Sequence, residues 1–152
     1  MATTNVEVQN KRSAINSNFG PILERRTTVQ VATAGAATYT VEQVFGGRIE
    51  RDPAGGNRTD VLPTITLIMA YLRGKAREVA VDLPAIVTFP FVIENTADAA
   101  ETITLNVGTG GTIQTGHTMT IAEDYSKRFE LTIATTNGSE SYIVRNLGTY
   151  LT

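Results

Sequence analysis

Ile86-Val87-Thr88-Phe89-Pro90-Phe91-Val92-Ile93-Glu94-Asn95 is dense in β-branched and aromatic residues and reads as a strand. Such side chains pack well on a pleated surface. Pro90 has no N–H for a ladder, which predicts an edge position or a bulge. Asn95-Thr96-Ala97-Asp98 follows as a turn. Thr102 to Val107 then alternates, with Ile103, Leu105 and Val107 turned inward. Gly108-Thr109-Gly110-Gly111 is a tight reversal. Ile113, then Met119 and Ile121, mark two short strands around Thr115-Gly116-His117. Arg128 to Thr132 alternates again, with Phe129, Leu131 and Ile133 inward. Asn137-Gly138 signals a hairpin turn, and Ser141 to Arg145 is the last strand.

Short strands with regular turn signals predict a mainly β fold, an antiparallel β-sandwich or jelly-roll-like domain. Each inward apolar side chain contributes roughly 1.5–3 kcal/mol on burial. These strands therefore hold a small core without metal or disulfide.

On the N-terminal side the pattern changes. Thr40-Val41-Glu42-Gln43 is a capping box, and Val41, Val44 and Phe45 supply an apolar face that ends at Gly46-Gly47. This predicts a short helix near 40–46. Gly47 to Asp60 carries Asp52-Pro53, Gly55-Gly56 and Asn57 and reads as a loop. Pro63 suits the first turn of a second helix near 63–73, with Ile65, Leu67, Ile68, Met69, Tyr71 and Leu72 as its body and Gly74 as its stop.

Residues 1–38 read as an extended N-terminal arm or linker. Gly20-Pro21 interrupts it, Thr27 to Thr33 could form one strand with Val29 and Val31 on one face, and Ala32 to Ala37 is linker-like. Val6, Val8, Ile15, Phe19, Ile22 and Leu23 are too apolar for a purely disordered tail and mark a candidate interface arm that lies on a neighbouring subunit. The domain organisation expected is thus 1–38 as arm and 39–152 as a β-rich domain that includes the short helices.

The chain has 152 residues, of which 41% are hydrophobic and 18% charged, which suits one domain with an appendage. Its net charge of −2 includes no basic stripe of the kind that neutralises phosphates, so no nucleic-acid partner is expected. Ten of the 13 basic residues are Arg, whose planar fork suits pairing inside contacts. The absence of Cys excludes a disulfide-stapled fold and a zinc ribbon. No stretch approaches the ~20 apolar residues of a membrane span. The N-terminus lacks the basic start and apolar run of a signal peptide, so a protein made and kept inside a cell, or packaged from there, is expected.

The order of several motifs carries a resemblance. Gly46-Gly47-Arg48-Ile49, Arg51-Asp52-Pro53, Arg58-Thr59-Asp60 and Leu62-Pro63-Thr64 follow one another. Phe91-Val92-Ile93-Glu94-Asn95-Thr96-Ala97, Glu101-Thr102-Ile103-Thr104-Leu105 and Gly108-Thr109-Gly110-Gly111-Thr112 come next, then Lys127-Arg128-Phe129 and Ser139-Glu140-Ser141-Tyr142. Over about residues 40 to 149 this resembles a family of small virion-associated proteins of large DNA viruses. The resemblance implies a structural role as a minor capsid, cap or decoration protein, located in the virion and made in the host cell. It implies no catalytic residues. The partners expected are the chain itself, as a homotrimer or other small cyclic oligomer, and a major capsid protein or other virion proteins.

The remaining polar clusters carry weak chemistry. His117 is the single histidine and reads as a solvated loop residue. Arg48, Arg51, Asp52, Arg58 and Asp60 match neither a calcium loop nor a phosphate loop and are expected to form a structural ion-pair network, Arg51 and Arg58 bracing the loop through carboxylates or backbone carbonyls. Glu94 with Glu101, and Glu123-Asp124, read as solvated turn carboxylates rather than a glycosidase pair. The function expected is non-enzymatic, with no cofactor and no metal. The rival reading is a ligand- or glycan-binding β-sandwich, a receptor-binding tip, for which Tyr125 is the exposed aromatic available.

Overall fold

The computed structural model describes residues 27–152. Over these described residues the chain is mainly β, with two helices and two sheets. The elements are β1 (Thr27–Ala32), α1 (Val41–Phe45), β2 (Gly47–Asp52), β3 (Arg58–Val61), α2 (Ile65–Glu78), β4 (Ile86–Asn95), β5 (Ile103–Asn106), β6 (Gly111–Ile113), β7 (Thr120–Ile121), β8 (Tyr125–Ala134) and β9 (Ser141–Leu151). The large sheet has six strands in the order β1-β2-β4-β8-β9-β6, and the small one three in the order β3-β5-β7.

The pairing is mixed where an antiparallel arrangement was expected. The β1–β2, β2–β4, β3–β5 and β6–β9 ladders are parallel. The β4–β8, β8–β9 and β5–β7 ladders are antiparallel. Parallel neighbours need a crossover, and α1 supplies the one between β1 and β2.

Strand alternation makes the large sheet one-sided. Val87, Phe89, Phe91 and Ile93 of β4, Phe129, Leu131 and Ile133 of β8, and Tyr142 and Val144 of β9 are buried on one face. The helices cover one end of that face. Phe45 stacks on Phe89 with ring centroids 4.6 Å apart and meets Tyr71 at 5.2 Å. The small sheet covers the other end, where Asn95 Nδ2 donates to the Glu101 and Ile121 carbonyls at 2.8 and 3.2 Å.

The first helix forms as its capping box dictates: Thr40 Oγ1 accepts from the Gln43 N–H, and Gln43 Oε1 accepts from the Thr40 N–H. The second runs past its expected stop. Gly74 lies inside α2, which continues through Lys75, Ala76, Arg77 and Glu78. A glycine costs a helix only about 1 kcal/mol, and burial of Ala76 with the Lys75–Glu78 pair offsets it. Thr64 Oγ1 caps the N-terminus by accepting from the Leu67 N–H.

Three further expectations change. Gly47 to Asp60 is not one loop, because β2 and β3 occupy its two ends. The last strand extends from Ser141 to Leu151 rather than stopping at Arg145. Pro90 sits in β4, a central strand flanked by β2 and β8. The Thr135 N–H donates to the Ala85 carbonyl, which sets the phase of this antiparallel ladder and makes Pro90–Glu130 a non-hydrogen-bonded pair. Its nitrogen therefore faces the β2 side, where the β2 ladder reaches only to Val92. Pro90 occupies a local edge within a central strand.

Candidate functional site

The most concentrated polar site lies between the two sheets. Alternation along β2 turns Ile49 and Arg51 inward, and both are fully buried. Asp60 of β3 points back from the small sheet and is equally buried. Arg51 Nε donates to Asp60 Oδ2 at 2.7 Å and Nη2 to Oδ1 at 3.3 Å. Nη1 also donates to the Val31, Thr33 and Asp52 carbonyls, and Nη2 to the Gly35 carbonyl at 2.6 Å. Asp60 is completed by the Ala37 N–H at 2.7 Å and the Tyr39 hydroxyl at 2.7 Å. Burial, reinforced by the Asp60 charge, pushes the Tyr39 hydroxyl far above its ordinary value, so it stays a donor. Each guanidinium N–H and each carboxylate oxygen is thus occupied from within the chain. Taking these charges out of water is offset only because every bond is made.

Arg58 extends this network without a carboxylate. Its Nε donates to the Pro53 carbonyl at 3.1 Å, and Nη2 to the Ala34 and Ala54 carbonyls at 3.1 and 3.4 Å. Asp52 accepts from the Ala54 N–H at 2.8 Å and shapes the same turn. Two arginines therefore grip the backbone of residues 31–35 and 53–54. Arg48 is elsewhere. It lies on the opposite face of β2, paired with Glu94 and 3.6 Å from Glu50. Of the five residues grouped from the sequence, the fold brings Arg51, Asp60, Arg58 and Asp52 to one region and Arg48 to another. Tyr39 is a further member of this network that the sequence does not announce, because its partner Asp60 lies 21 residues away.

The candidate arm residues Val6, Val8, Ile15, Phe19, Ile22 and Leu23 lie outside the described residues.

The open face of the large sheet carries a charge-laced surface. Besides Arg48–Glu94, Gln30 Nε2 donates to Glu50 at 3.3 Å, and Arg145 Nε lies 3.6 Å from Glu130. Such solvent-accessible, half-buried surface pairs contribute little stability, ~0–1 kcal/mol each, and serve as a polar, sign-alternating face. At one end of the β8–β9 hairpin Tyr125, Leu147, Tyr150 and Leu151 are exposed, with Tyr125 opposite Leu151 in the ladder.

His117 is half-buried rather than solvated: its Nδ1 lies 3.0 Å from both the backbone N and O of Asn146, beside the irregularity in the β8–β9 ladder. Lys127 is buried on the inner face and donates to the Thr118 carbonyl at 3.0 Å. Desolvation lowers its pKa. Glu94 is turned to Arg48, whereas Glu101 is buried in the β4–β5 connection.

Among the described residues no cluster of three or more His, Cys, Asp or Glu side chains is placed to hold a metal ion. The clefts are open and lined by both polar and apolar side chains. One, of about 380 Å³, is lined in part by Arg73, Arg77, Asp82 and Asn137. Another, of about 250 Å³, lies between Gln30, Glu50, Asp52 and Thr96. No described helix is long and apolar enough to cross a membrane. No protein-family model, curated protein or solved structure significantly matches this chain.

Proposed function

We propose that this chain is a non-enzymatic structural protein that assembles into or decorates a viral capsid as a small cyclic oligomer. The observation that carries the structural role is the one-sidedness of the six-stranded sheet. Its inner face is covered by the helices and the small sheet, while its outer face presents Gln30, Arg48, Glu50, Glu94, Arg128, Glu130 and Arg145 on a broad strand surface. Surfaces of mixed charge select partners by complementarity more than by raw affinity. The buried charges between the sheets serve the fold, since their bonds are used up internally. We read the two sheets over their shared core as the layers of a short sandwich. The capsid setting rests on the motif order from Gly46 to Tyr142, and the expected neighbours are other copies of the chain and a major capsid protein.

Mass spectrometry of purified particles tests this directly. The chain should be present in many copies and should persist after washes that strip loosely bound protein. Particles without it would end the capsid reading.

One observation favours a second reading. Tyr125 and Tyr150 are both exposed on the β8–β9 hairpin, and exposed aromatics are what a glycan-binding tip would offer. A glycan array settles between the two, since binding abolished by Tyr150→Ala would move the function there.

A further inference from the structure

We infer that β1 is a self-complementary edge, and that two copies of this chain join there into one continuous sheet. The argument begins with the phase of the β1–β2 ladder. The Thr27 N–H donates to the Gly46 carbonyl at 2.7 Å. In a parallel pair, alternate residues turn both amide groups to the same neighbour. Thr27, Val29 and Val31 therefore face β2. The Arg51 guanidinium, which belongs to β2, takes the carbonyls of Val31 and Thr33, in the same phase. Thr28, Gln30 and Ala32 turn their N–H and C=O groups away from the sheet. Among the described residues nothing pairs with that side of β1.

The strand Thr27-Thr28-Val29-Gln30-Val31-Ala32 carries no charge, no proline and no bulge. Those are the devices by which exposed edges resist pairing. Its outward groups match an antiparallel copy of themselves in one register. Centring a two-fold axis on Gln30 makes Gln30–Gln30, Thr28–Ala32 and Ala32–Thr28 hydrogen-bonded pairs across the junction. All three outward N–H and all three outward C=O groups of each copy are then used. The intervening pairs are Val29 against Val31, both half-buried in the single chain. Aliphatic β-branched pairs of this kind stabilise cross-strand contacts. The nearest charge beside the axis, Glu50, bonds Gln30 within its own copy and sits one strand back. Its counterpart lies three strand spacings away, about 14 Å, beyond the screening length of physiological salt. The two Arg-gripped turns behind β1 hold the strand in place before any partner arrives. The contact is isologous and closes with two copies, a dimer, where the sequence led to the expectation of a homotrimer or other small cyclic oligomer. It does not depend on the larger assembly being a capsid.

Because the chain lacks cysteine, a single introduced thiol can bridge only to another copy. In the full-length chain, Gln30→Cys puts two thiols on the axis at a Cα separation of about 5.5 Å, within disulfide range. Mild oxidation should yield a covalent dimer on a non-reducing gel. Thr28→Cys alone should not, since its two copies lie about 14 Å apart along the strands, but mixed with Ala32→Cys it should cross-link. Gln30→Pro removes an N–H that β2 does not use and should halve the mass measured by light scattering, with an unchanged circular dichroism spectrum. The inference is overturned if Gln30→Cys stays monomeric in the full chain. That includes the case where it cross-links only after residues 1–26 are removed, which would make those residues the occupant of the edge. Cross-linking by Thr28→Cys alone would equally overturn the register.

Discussion

Arg51 of β2 and Asp60 of β3 form an ion pair at 2.7 Å in which neither side chain has exposed surface, and the pair is the polar rivet between the two sheets. Removing one partner leaves the other charged, buried and uncompensated. Asp60→Asn keeps the shape and removes the charge, so it should cost about 3–5 kcal/mol. Urea unfolding at neutral pH measures it. Arg51→Met should cost a similar amount, and the double variant less than the sum, since the two act as one unit. A loss below about 1 kcal/mol in the single variants would mean that the pair does not join the sheets.

Arg58 holds only carbonyls, those of Pro53, Ala34 and Ala54. Hydrogen bonds from a charged donor are worth about 1.5–3 kcal/mol, and a chain of this size loses about 2–4 °C of melting temperature per kcal/mol. Arg58→Ala should therefore lower Tm by several degrees. It should weaken assembly in parallel, because Ala34, whose carbonyl Arg58 holds, lies two residues beyond the end of β1. Unchanged Tm and unchanged light-scattering mass together would remove both parts.

Gly111 is required by a close approach rather than by its backbone angle. The ring of Tyr142 occupies the space where a Cβ would sit. That tyrosine donates to the Pro63 carbonyl and accepts from the Gly108 N–H, both at 2.9 Å. Gly111→Ala should displace the ring, break both bonds and cost about 1–3 kcal/mol in chemical denaturation. A well-folded variant of wild-type stability would show that β6 can move away freely.

The Tyr39 hydroxyl is held protonated in the folded chain by burial first and by the Asp60 charge second. In the unfolded chain a tyrosine ionises near pH 10. Above that pH the folded state binds more protons than the unfolded one, so stability is complete below it and is lost as pH rises through it. Burial shifts Tyr142 in the same direction. Tyr39→Phe should cost about 1 kcal/mol at neutral pH and should flatten the fall in urea midpoint between about pH 9 and about pH 11. An identical slope in the variant would assign the alkaline loss to other groups.

Lys127 has the opposite sign. Desolvation lowers its pKa, so the folded chain sheds this proton before the unfolded chain does. The penalty for the charge is fully present below the lowered pKa and is relieved as pH rises towards the ordinary lysine value. Its acceptor, the Thr118 carbonyl, also receives Asn146 Nδ2 at 3.2 Å and is not orphaned by the loss of Lys127. Lys127→Met should raise stability at neutral pH by up to about 1 kcal/mol, with the gain fading in alkali. A destabilised variant would make the ammonium a structural donor.

The strands from Ile86 onward were legible because their apolar residues alternate and their turns carry Gly, Asn and Asp. Phe129, Leu131 and Ile133 are buried where the period places them. The first helix was legible from its capping box. The sense of the ladders was not, since alternation reports which face is buried and says nothing of strand direction. Strand β2 was missed because its second inward residue is Arg51. A cation in the alternation reads as a surface position until its partner is known, and Asp60 lies in a different sheet. Arg48 was grouped with Arg51 on proximity in sequence, but three residues along a strand lead to opposite faces. The partnership of Tyr39 with Asp60 spans 21 residues and left no local trace.

The placement of Pro90 has a consequence for how the chain is made. As a polypeptide leaves the ribosome, β4 emerges well before β8, whose ladder it needs, so a ten-residue strand, apolar over most of its length, waits with its flank open. Segments of this kind are where nascent chains clump, and a proline at a position without a ladder donor is a gatekeeper against it. Pro90 interrupts stacking during that interval yet gives up no hydrogen bond once β8 arrives. An alanine there would leave the finished protein intact and lower the soluble yield from synthesis.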